Sequence, residues 1–153
     1  LNVHISIVIL WLIYSIMTIS ATKNVINRDY QKERFEDTIE NTQKLPSQMA
    51  TGVWNGALSA AILLAIILIF YLIATAVIIN NTIFTLIVAI LIADCIAGVA
   101  VSVYMVNGIM DGNEKVMDFI HKLQKLKLAI YFLNLFHTIY FGIYIFTGIS
   151  LFA

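Results

Sequence analysis

Charge is scarce in this sequence. Only 12% of its 153 residues are Asp, Glu, Lys or Arg, while 61% are hydrophobic. Soluble domains are about 25% charged and roughly 45–50% apolar. A water-soluble chain this short could not hide so much apolar surface, and the mean hydropathy of +0.92 agrees. The scarcity therefore argues against an ordinary soluble globular domain and for a membrane protein. The charge that is present balances to a net of zero, so there is no basic footprint for nucleic acid and none is expected as a partner. The single cysteine, Cys95, excludes an intrachain disulfide and offers no CxxC or zinc spacing. No metal or cofactor is expected. Catalytic signatures are missing too: there is no GxSxG, HExxH, P-loop or GxGxxG. Membrane hydrolases need a nucleophile with a base, or a metal with several ligands. The expectation is that the chain is not an enzyme. The one proline, Pro46, lies outside every long apolar run. That run structure, without repeats, does not resemble the broken helices and inverted repeats of self-sufficient transporters.

What the sequence does have is long apolar runs. A helix needs about 20 mostly apolar residues to cross a bilayer, and only a helix satisfies its own backbone there. Four stretches qualify, at about 1–20, 52–79, 82–106 and 128–152. The first lacks a basic n-region and exceeds a signal-peptide h-region, so a retained anchor is expected. Asn80 and Asn81 alone separate the second and third runs, enough for a tight turn between antiparallel helices. Asn80-Asn81-Thr82 also matches a glycosylation acceptor, in a turn too short and too close to the bilayer to favour modification. The polar connections at 21–51 and 107–127 carry all nine Lys and Arg residues. With four spans, both connections fall on one side. The positive-inside rule makes that side cytoplasmic and leaves both termini outside.

The first connection has no Gly or Pro between Asn24 and Lys44, and a helix extending there should break near Leu45–Pro46. The second opens on turn chemistry, Asn107-Gly108 and Asp111-Gly112-Asn113. Val116, Phe119, Ile120, Leu123 and Leu126 then recur at helical spacing, with the juxtamembrane lysines Lys115, Lys122, Lys125 and Lys127 among them. The fold expected is thus all-α: a single integral-membrane domain over 1–153, a four-helix bundle with a tight hairpin of its second and third spans and helical cytoplasmic extensions of the first and fourth. Small residues let helices approach closely in lipid. Gly52, Gly56 and Ala60 on the second span, and Ala89, Ala93, Ala97 and Gly98 on the third, are the expected packing ridges.

One carboxylate interrupts this pattern. Asp94 alone among the nine acidic residues falls inside a span, near the middle of the third by counting. A central Asp costs about 2.5–3.5 kcal/mol on translocon scales, so it should face protein or water. On the fourth span Asn134, His137 and Thr138 share one helical face, and an Asp94–His137 contact would satisfy both groups. Three roles are open to Asp94: a hydrogen-bonded residue that sets helix register, half of an ion or proton site with His137, or a contact to another chain. Little chemistry, ample packing surface and an aromatic-rich fourth span point to a non-catalytic accessory, assembly or regulatory subunit of a larger membrane complex in the cell membrane. The alternative is a channel or transporter subunit using the Asp94–His137 pair. The expected partners are the lipid bilayer and other membrane subunits, identical or different.

Overall fold

A computed structural model describes residues 2–26, 33, 37, 40–41, 44, 46–110 and 115–148. Among the described residues the fold is all-helical, with four long helices: α1 (Asn2–Ile26), α2 (Ser47–Ile79), α3 (Thr82–Met110) and α4 (Lys115–Thr147). Each contains a stretch long and apolar enough to cross a membrane: Ile5–Thr22, Gly52–Ile79, Thr82–Val103 and Leu126–Thr147. The expected helical extension of α1 through the first connection lies mostly outside the described residues.

The helix ends follow local chemistry. Pro46 holds φ −54° and ψ 143°, and α2 starts at the next residue, as expected of a ring that cannot continue a preceding helix. At the other end Asn80 adopts φ 50° and ψ 47°, and its N–H donates to Ala76 O at 2.9 Å. This left-handed residue closes α2. Asn81 then opens α3: its Oδ1 accepts from the N–H groups of Ile83 at 2.9 Å and Phe84 at 3.2 Å, an N-cap that satisfies two otherwise orphaned donors. Two adjacent asparagines therefore end one helix and begin the next.

Two boundaries depart from the sequence expectation. Helix α3 continues through Asn107-Gly108 to Met110 rather than turning there. Extending an established helix adds one hydrogen bond per residue, which offsets the roughly 0.5–1 kcal/mol preference of Asn and Gly against it. Helix α4 stops at Thr147, short of residue 152, because Gly148 enters φ 68° with its N–H bonded to Tyr144 O at 2.8 Å. Helix α4 otherwise runs unbroken from Lys115, so the amphipathic stretch and the fourth apolar run are one helix.

Helix α3 packs most extensively on α2 and then on α4, and α4 also carries α1; α2 touches α1 and α4 more sparingly. The buried core joins Tyr14 of α1, Tyr71, Leu72 and Ile79 of α2, Phe84, Val88 and Leu91 of α3, and Tyr140 and Phe141 of α4. All but one of these lie within about nine residues of the Asn80–Asn81 turn or of His137, so the packing is concentrated toward one end. Outside it, large apolar side chains are bare: Val77 is 72% exposed, Phe70 70% and Ile19 68%. Such exposure is ordinary where the surrounding medium is hydrocarbon and costly where it is water.

The small-residue ridges take no part in this packing. Gly52, Gly56, Ala60, Ala89, Ala93, Ala97 and Gly98 are all exposed, and a Cβ added at Gly52, Gly56 or Gly98 would meet nothing within 4 Å. The reason is angular. At 100° per residue Ala93 points opposite to Phe84, and Gly56 nearly opposite to Leu72. The inward positions of α2 are instead Ala61, Ala65 and Leu68, all half-buried.

Candidate functional site

Polar groups on apolar helices must find partners, and here many find them locally. Ser15, Thr18, Ser20, Ser59 and Ser102 each donate to the carbonyl four residues back, at 2.6–2.9 Å. This back-bonding hides a hydroxyl without help from another helix. Among the described residues, four bonds that cross between helices end on α4. Trp11 Nε1–H donates to Thr138 O at 2.9 Å. The Tyr14 hydroxyl donates to Asn134 Oδ1, and the Thr22 and Tyr131 hydroxyls share a bond of 2.5 Å.

His137 sits at the centre of this set. It is fully buried, and its Nε2 lies 2.9 Å from Thr75 Oγ1, which is equally buried. The Thr75 hydroxyl also donates to Leu72 O at 2.7 Å. With that proton directed to the backbone, Thr75 can accept from an Nε2–H tautomer of His137. Aromatic rings close round the imidazole: Phe84 stacks on it at 5.2 Å between centroids, while Tyr14 and Tyr71 present edges at 5.5 and 6.0 Å. Three buried polar atoms nearby, Tyr71 Oη, His137 Nδ1 and Thr138 Oγ1, have no hydrogen-bond partner among the described residues.

Asp94 belongs elsewhere. It is half-buried on the wall of a groove of about 280 Å³ between α3 and α4, with Ala97, Gly98, Ser102, Lys127 and Ile130. Lys127 lies within electrostatic reach of it, yet among the described residues no ion pair joins the two. The expected Asp94–His137 contact is not made. Phe84, not Asp94, is the α3 residue at the level of His137, and ten residues further along α3 correspond to roughly 15 Å. Antiparallel packing thus sets Asp94, near the middle of the α3 stretch Thr82–Val103, beside Lys127, next to the first residue of the α4 stretch Leu126–Thr147. Counting along one helix gives no information about its register against another.

Of the residues singled out from sequence, Asn134, His137 and Thr138 do lie together on the inner side of α4, but they gather with Tyr14, Tyr71 and Thr75, which sequence reasoning passed over. The available signal was a phenol or hydroxyl in mid-run: Tyr14, Tyr71 and Thr75 each interrupt a stretch of aliphatic residues. Lys115, Lys122 and Lys125 fall on α4, with side chains outside the described set; Lys127 faces the groove. Among the described residues no cluster of three His, Cys, Asp or Glu side chains is placed to hold a metal. The arrangement offers a sealed polar tie near the α2–α3 turn and an open, charged groove further along α3 and α4. Comparison with protein-family models, with curated proteins and with solved structures finds no match to this chain.

Proposed function

We propose that this chain is a four-span bundle in the cell membrane, with its two basic connections in the cytoplasm, and that it serves as a non-catalytic accessory, assembly or regulatory subunit of a larger membrane complex. The observation that carries the reading is the outward placement of the small-residue ridges. Gly52, Gly56 and Ala60 on α2, and Ala89, Ala93 and Ala97 on α3, are exposed. In lipid such ridges are the surfaces through which helices associate, since they let backbones approach. Two ridges on neighbouring helices, neither used within the chain, suit contact with other transmembrane segments. The alternative, an ion or proton channel built on Asp94 and His137, has less support, because His137 is enclosed by aromatic rings and bonded to Thr75 while Asp94 lies in the α3–α4 groove, roughly 15 Å further along α3.

Gentle detergent extraction of the tagged chain at native abundance, followed by native mass measurement, tests this. The expected result is a particle containing other membrane proteins, lost when Gly56→Leu and Ala93→Leu are combined. A chain that travels alone as a monomer, or whose partners are indifferent to both substitutions, would overturn the proposal.

A further inference from the structure

The groove between α3 and α4 has a chemistry that the subunit reading does not use. It carries one carboxylate, Asp94, and one ammonium, Lys127, on opposing helices without a direct bond between them. The Ser102 hydroxyl is already donated to Gly98 O at 2.8 Å, so the two charges are the free polar anchors. The remaining wall is small or apolar, with Ala97, Gly98 and Ile130. At about 280 Å³ the space is just below the 300–1,000 Å³ typical of drug-sized ligands. Its depth is informative as well. Lys127 adjoins the first residue of the apolar stretch of α4, from which a long basic side chain can reach the headgroup layer, while Asp94 lies deeper, near the middle of the α3 stretch.

From this we infer that the Asp94–Lys127 groove binds the zwitterionic headgroup of an amine-bearing phospholipid, its phosphate on the Lys127 ammonium and its primary ammonium on the Asp94 carboxylate. Charge complementarity selects this occupant. A partner helix bringing one basic side chain would satisfy Asp94 and set a like charge against Lys127; an anionic lipid would satisfy Lys127 and repel Asp94. A primary ammonium linked to a phosphate matches both, and both contacts are charge-assisted hydrogen bonds. The apolar wall around Ile130 then lies beside the acyl chains. Gly98 keeps the groove open: a Cβ there would meet nothing within 4 Å, so a larger side chain would fill the space without forcing the helices apart. The inference rests on the membrane reading but not on the subunit role.

Native mass spectrometry of the full-length chain in detergent, with equal amounts of dioleoyl phosphatidylethanolamine, phosphatidylcholine or phosphatidylglycerol, tests it. Phosphatidylethanolamine adducts should exceed phosphatidylglycerol adducts by about tenfold, the size of one charge-assisted hydrogen bond. Phosphatidylcholine, whose trimethylated nitrogen has no N–H to donate, should fall between. Asp94→Asn should abolish the preference, Lys127→Gln should weaken all three lipids, and Gly98→Leu should block phosphatidylethanolamine with thermal stability unchanged. Equal adducts for every lipid would overturn the inference, as would a preference that survives both Asp94→Asn and Gly98→Leu. So would chain-free phosphoethanolamine binding as well as the lipid, or a photo-crosslinker at Ile130, on the groove wall and outside the small-residue ridges, that captures protein in place of lipid in intact membranes. The mass of the native assembly, measured separately, reports on the subunit reading whatever the lipid result.

Discussion

At the scale of single residues, Trp11 packs directly over Gly142. A Cβ on Gly142 would stand 2.6 Å from Trp11 Cζ2, and this proximity lets the indole N–H reach Thr138 O. Gly142→Ala must therefore displace the indole, and overpacking of this kind costs about 1–3 kcal/mol. Thermal unfolding in detergent should show a lower Tm for Gly142→Ala and an unchanged one for Gly52→Ala, since Gly52 has open space round it; equal effects would refute the packing described. The histidine site makes a paired prediction. Thr75→Val removes the partner of a fully buried imidazole nitrogen and should destabilise by roughly 1–3 kcal/mol. Tyr71→Phe removes a buried hydroxyl that has no partner among the described residues, so it should be neutral or stabilising by up to about 1 kcal/mol. Chemical denaturation of both variants checks the sign difference.

At the scale of elements, the α2–α3 turn divides its work between two like residues. Asn80 supplies a positive φ, and Asn81 supplies a side-chain cap. Asn80→Gly should be tolerated, whereas Asn81→Gly or Asn81→Ala loses the cap, with Ala costing about 0.5–2 kcal/mol. A swap of tolerance between the two positions, read from Tm, would contradict the assignment. The turn was legible in the sequence because two asparagines between apolar runs leave few alternatives. The helix extents were legible as well, except at two ends: Asn107-Gly108 reads as a turn but is carried inside α3, and α4 ends at Thr147, where Gly148 takes a positive φ. The ridges were misplaced for a different reason. Small residues at four-residue spacing identify a stripe on a helix, but only the large residues, Phe84, Val88 and Leu91 on α3 and Leu72 on α2, determine which stripe faces inward.

At the scale of the whole molecule, the account turns on what surrounds the helices. Four apolar helices with large exposed aliphatic and aromatic faces suit lipid, and the proposed topology puts the two basic connections on one face. The four long apolar helices could be read from run length alone. The relative depth of Asp94 and His137 could not, because it is set by how α3 slides against α4, through the Phe84–His137 stack that no single-helix periodicity encodes. The most direct test is cysteine accessibility in sealed membrane vesicles, with Cys95→Ser as background and single cysteines introduced at Asn41, Asn113 and Thr82. The account predicts that a membrane-impermeant maleimide labels the cysteines at positions 41 and 113 from the same side, and the one at position 82 only from the other. Labelling of 41 and 113 from opposite sides, or a chain that stays monodisperse in detergent-free buffer, would contradict it.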